Sequence, residues 1–138
     1  MSLTIRPRLI ASLAATALVA LGVSAPSATA LPESTRTLVV QWASASPSPI
    51  PFGSGTLTVG GTYTCTGPTG STMPVSFTAS QFMPLSISSG SGTLPCGPGV
   101  VDAPWELTSY PSWDVHNGYT SVLVGYDETG VSSGQFTA

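Results

Sequence analysis

From residue 35 onward, apolar and polar positions alternate in short runs, and Gly or Pro interrupts them every 8 to 12 residues or so, the pattern of an antiparallel sandwich or barrel. No stretch sustains an apolar period of 3.6 residues, so no helix is predicted there. Thr35 to Ala43 reads as a first strand, with Leu38, Val40 and Trp42 on one face. Residues 44–54 are rich in Pro and Ser, can donate few amides, and predict a loop or linker. Alternation resumes at Thr56, where Leu57, Val59, Tyr63 and Cys65 share one parity and Gly60-Gly61 predicts a bulge or tight bend.

Gly67-Pro-Thr-Gly70 is turn chemistry, and Val75, Phe77 and Ala79 give the next strand its inward face. Leu85 to Ile87 predicts a short strand, and the Ser/Gly run Ser88 to Gly92 a mobile loop tip before Cys96. Ala103 to Tyr110 places Trp105 and Leu107 on one face, with Trp105 as the central core aromatic. Asn117-Gly118, between Trp113 to His116 and Tyr119 to Tyr126, is a strong hairpin signal. The second arm points Thr120, Val122, Val124 and Tyr126 one way, and Ser133 to Thr137 supplies a closing strand after the Asp127-Glu-Thr-Gly130 turn. The expected total is about seven strands in one β-sandwich.

The first residues carry a different pattern. Arg6 and Arg8 precede an apolar run from Leu9 to Val23, which ends in small residues with Ala28-Thr29-Ala30 as an A-x-A cleavage site. That is the layout of a secretory signal peptide over residues 1–30, and the run is shorter than the roughly 20 residues a spanning helix needs. Residues 31–138 then form one exported domain of single-domain length. No Cys lies at the cleavage point and no sorting motif or apolar tail follows Gly134, so no membrane anchor is expected and release is the expected fate.

Charge narrows the partners. Of three basic side chains only Arg36 lies beyond the signal, against six acids: Glu33, Asp102, Glu106, Asp114, Asp127 and Glu128. Such a surface repels phosphate backbones and anionic membranes, so no nucleic acid is expected as a partner. The two cysteines, Cys65 and Cys96, read as one disulfide in an exported chain. By chain entropy, closing that loop contributes about 3–4 kcal/mol. A metal-binding pair would call for C-x-x-C spacing and a nearby His, and neither is present.

The pieces Gly61-Thr-Tyr-Thr-Cys65-Thr-Gly67, Cys96-Gly97, Pro104-Trp105-Glu-Leu107 and Gly118 with Thr120 and Val122 resemble a family of small secreted actinobacterial proteins of unknown function. The resemblance runs from Gly55 to Gly130 and implies an immunoglobulin-like sandwich, a Cys65–Cys96 bridge and Trp105 in the core. It implies no activity. The chain departs from the family pattern after Cys96, where Gly97-Pro98-Gly99 stands in place of an acidic residue and Gly.

Candidate chemistry is sparse. His116 is the one imidazole, and Asp114 two residues before it would share its face on a strand, yet no serine stands out as a nucleophile. Polar residues beside an exposed turn are the simpler reading. Asp114, Asp127 and Glu128 could meet at one end around Ca²⁺, but they lack ordered ligand spacing and read as solvated turn acids. No catalytic residue, metal or cofactor is therefore assigned, and no enzyme activity is expected. Tyr110, Trp113 and Tyr119 cluster around the Asn-Gly turn as candidate partner-binding aromatics, with Phe82-Met83-Pro84 as a second apolar patch. The expected function is a non-catalytic extracellular module that binds a protein or glycan. The alternatives are a protease inhibitor presenting Thr93-Leu94-Pro95 from a loop beside the bridge, and a small hydrolase using Asp114 and His116.

Overall fold

The computed structural model describes residues 34–138, and the expected signal peptide lies outside them. The described residues form eight strands and no helix: β1 (Arg36–Ser46), β2 (Ser54–Cys65), β3 (Thr72–Gln81), β4 (Ser86–Pro95), β5 (Ala103–Thr108), β6 (Ser112–Trp113), β7 (Tyr119–Tyr126) and β8 (Gly130–Thr137). Two antiparallel sheets result. One runs β1-β2-β5 with β6 also on β2, and the other runs β4-β3-β7-β8. This is an immunoglobulin-like sandwich, one strand more than expected because β6 is a two-residue fragment.

The core is built from inward positions of both sheets. Leu57, Val59, Tyr63 and Cys65 of β2 face Met73, Val75, Phe77 and Ala79 of β3 and Val122 and Val124 of β7, all buried. Among the described residues no buried side-chain nitrogen or oxygen lacks a hydrogen-bond partner.

The first strand departs from strict alternation. Its ladder with β2 shifts register between Val40 and Trp42, so Ala43 takes the inward place and Trp42 turns outward, 38% exposed. The bulge is therefore in β1, opposite the Gly60-Gly61 pair that suggested it. Trp42 lies over Gly60 on the outer face. On the inner face Trp105, opposite Gly61 and 4% exposed, passes its indole Nε1–H to the Val39 carbonyl at 3.1 Å. Val40 N–H, freed by the bulge, donates to Ser132 Oγ of β8 at 3.1 Å and ties the two sheets along one side.

Three further expectations are corrected. Of residues 44–54, expected as a loop or linker, only 47–53 form a loop, between β1, which continues to Ser46, and β2, which begins at Ser54. The Ser88 to Gly92 run is not a loop tip but the middle of β4, paired to β3 from Ser86 to Pro95. Its glycines are required because a neighbouring side chain and the other sheet both come close. A Cβ on Gly90 would stand 2.7 Å from the Phe77 ring and 3.0 Å from Thr108 O.

Asn117-Gly118 is the third. Trp113 pairs with Ser54 in the first sheet, whereas Tyr119 to Tyr126 pairs with β3 and β8 in the second, so the dipeptide lies in a crossover between sheets and not in a hairpin. Gly118 instead exchanges two main-chain hydrogen bonds with Ala138, both 2.9 Å, and extends the β7–β8 ladder. The arm before it is held by a side chain. The Gln81 carboxamide accepts from His116 N–H at 3.2 Å and donates to His116 O, supplying what a paired strand would have supplied.

Candidate functional site

The strand directions sort the loops between two ends. Loops 66–71, 96–102 and 127–129 lie at one, and loops 47–53, 82–85 and 114–118 at the other.

The first is the bridge end. Cys65 closes β2 and Cys96 follows β4, and the two are disulfide-bonded with Cα atoms 4.9 Å apart. The bond joins the sheets, as in immunoglobulin domains, though here from β2 to the segment after β4. Gly97 N–H donates to Cys65 O and Cys96 N–H to Ser71 O, which fixes the turn after the bridge without the acidic residue of the family pattern. Tyr63 donates its phenol to Pro95 O at 2.7 Å beside it, and burial raises its pKa. Arg36 pairs with Asp127 at the surface. Asp102, Asp127 and Glu128 follow from strand ends that converge here, whereas Asp114 follows Trp113 at the opposite end, so the three turn acids considered for Ca²⁺ do not meet. No group of three or more His, Cys, Asp or Glu that could hold a metal occurs among the described residues.

The distal end is apolar. Trp113 is its joint: its main chain pairs with Ser54 at the base of loop 47–53, and its carbonyl accepts Ser86 Oγ–H at 2.8 Å from the base of loop 82–85. Around it, large side chains stand in solvent. Met83 is 96% exposed, Phe52 87% and Trp113 66%, with Ile50, Phe82, Leu85 and Tyr119 also exposed. Phe52 and Met83 have φ of 59° and 58°, and Asp114 61°, in the left-handed region that bulky residues avoid.

The polar groups here are spent on the fold. Besides the Gln81 clamp, Ser112 Oγ donates to Tyr110 O, Thr120 Oγ1 donates to Gly118 O, and the His116 ring Nδ1 lies 2.8 Å from the Asp114 main-chain oxygen. His116 thus engages the backbone of Asp114 and not its carboxylate, in a turn and not on a strand.

The aromatics singled out from sequence separate into two groups. Trp113 and Tyr119 belong to the distal end. Tyr110 lies along the β4 edge, its N–H on Ser89 O at 2.9 Å and its hydroxyl 3.0 Å from Ser91 Oγ, with its side chain exposed. Phe82 and Met83 lie at the same end as Trp113, in the loop before Ser86, which bonds the Trp113 carbonyl. Phe52 and Ile50 were not picked out as surface residues from the sequence, and Leu85, read there as the start of a short strand, lies just before β4. Phe52 carried a usable signal, since an aromatic between Pro51 and Gly53 sits in a turn and cannot easily reach a core.

The inhibitor loop is absent as such: Thr93 pairs with Pro74, and Leu94 is buried. The outer face of the second sheet, with Thr78, Ser80, Ser121, Leu123, Ser133 and Gln135 along a shallow groove, carries hydroxyls and amide without charge. Compared with protein-family models, curated proteins and solved structures, the chain gives no match.

Proposed function

We propose that residues 31–138 are an exported, non-catalytic recognition module that engages its partner through the distal end. The signal-like N-terminus, the disulfide and the family-like motifs support export. A bonded Cys65–Cys96 pair is consistent with an oxidising location. The observation that carries the recognition reading is the exposure of Phe52 and Met83, two bulky apolar residues held in left-handed backbone at loop tips. Folding alone favours Gly or Asn there, and strain retained at exposed positions marks function. Three loops on one disulfide-tied scaffold give a rigid platform, the usual way a sandwich carries binding residues.

Retention on immobilised envelope glycans, envelope proteins and lipids tests this reading. Trp113→Ala and Phe52→Ala each lower retention on the true partner by on the order of tenfold or more, as expected of anchor residues. Leu123→Ala, on the outer sheet face, leaves it unchanged. Equal retention of all three variants removes the distal end from the account.

A further inference from the structure

Three features of the distal end, taken together, point to the class of partner. Its apolar groups stand on separate loops and at strand ends, each more than half exposed. Its polar side chains at Gln81, Ser86, Ser112 and Thr120 are already committed within the fold, so the directed groups left for sugar hydroxyls are confined to the 114–118 loop. Finally, charge is divided along the long axis. Arg36, Asp102, Asp127 and Glu128 lie toward the bridge end, while the distal loops hold only Asp114 and His116 beside Ile50, Phe52, Phe82, Met83, Leu85 and Trp113.

Resting on the recognition reading, we infer that the distal end inserts its loop tips into an uncharged lipid surface. Phe52, Met83, Phe82 and Leu85 enter the acyl boundary, and Trp113 and Tyr119 sit at the headgroup level where amphipathic rings are favoured. The acidic bridge end remains in water. With no Lys or Arg at the distal end, attraction to anionic headgroups contributes nothing, so binding follows apolar burial alone.

Flotation of the bridged protein with phosphatidylcholine vesicles tests the inference. The wild-type chain floats, and adding phosphatidylglycerol does not increase the bound fraction. Phe52→Asn with Met83→Asn lowers binding by more than about tenfold, because burying one such side chain is itself worth about that factor, while Asn suits the left-handed backbone and keeps the loops intact. Phe82→Ser with Leu85→Ser gives the same loss by a different route, and Leu123→Ser gives none. Failure of the wild-type chain to float, binding that requires anionic lipid, or binding unchanged in both double variants overturns the lipid assignment. If the chain does not float but Trp113→Ala abolishes retention on a glycan or protein, the recognition reading stands and only the lipid inference falls.

Discussion

Trp105 Nε1–H donates to the Val39 carbonyl, 3.1 Å away and two strands over, across a position that must be glycine. A Cβ on Gly61 would collide with that same carbonyl, so the bulge in β1, the glycine in β2 and the tryptophan in β5 form one unit. Gly61→Ala is expected to destabilise the fold by about 1–3 kcal/mol through overpacking. Trp105→Phe, which leaves Val39 O without its donor, costs about 1–3 kcal/mol. Chemical denaturation of the two variants and of the pair checks this. Because both act on one contact, the double variant loses less than the sum.

The bridge closes a span of 31 residues, and its loss is expected to cost about 3–4 kcal/mol. Cys65→Ser with Cys96→Ser, compared with the oxidised wild type by urea unfolding, measures it. A strong reductant should lower the wild-type midpoint toward that of the double variant.

Tyr63 sets an alkaline limit. Burial raises its pKa, so the folded state holds the phenol proton more tightly than the unfolded chain does. Its contribution is fully present below the unfolded value of about 10 and is lost as pH rises through the higher folded value. Tyr63→Phe removes this pH dependence and costs about 0.5–1.5 kcal/mol at neutral pH through the lost bond to Pro95 O. Thermal midpoints of both proteins from pH 8 to 11 give the comparison.

Gln81 does the work of an absent strand. Gln81→Leu leaves His116 N–H and C=O unpaired and is expected to destabilise by about 1–3 kcal/mol. Faster amide exchange should be confined to residues 114–118 at first, with β3 and β7 protected as before. Exchange that rises uniformly through the sandwich would instead assign Gln81 to the core at large.

Phe52→Asn is expected to hold or raise stability by up to about 1 kcal/mol, since a left-handed backbone costs ordinary residues about 1–2 kcal/mol and Asn less. Its melting midpoint therefore moves opposite to its binding.

Strict alternation made much of the fold legible. Leu57, Val59, Tyr63 and Cys65, or Val75, Phe77 and Ala79, needed only parity to be placed inside. What parity could not give was the bulge that turns Trp42 outward, beside Val39, whose carbonyl accepts from Trp105, 66 residues further along the chain. The Ser88 to Gly92 strand resembled a loop for the same reason. Its glycines answer to Phe77 on the neighbouring strand and to Leu107 and Thr108 of the other sheet, not to local propensity. Asn117-Gly118 had the local signal of a hairpin, yet Trp113 found its partner in Ser54, and tertiary pairing overrode the turn. At the candidate site, Trp113, Tyr119, Phe82 and Met83 were visible as residue types, but their gathering at one end with Phe52 required the topology.

The contact surface itself is the most direct test. Hydroxyl-radical footprinting, read by mass spectrometry on the bridged protein free and bound, reports it for any class of partner. The account predicts protection of Met83, Phe82, Phe52 and Trp113 on binding, with Leu123 and Val131 unchanged. Protection centred on Leu123 and Val131, with Met83 still fully oxidised in the bound state, would contradict it.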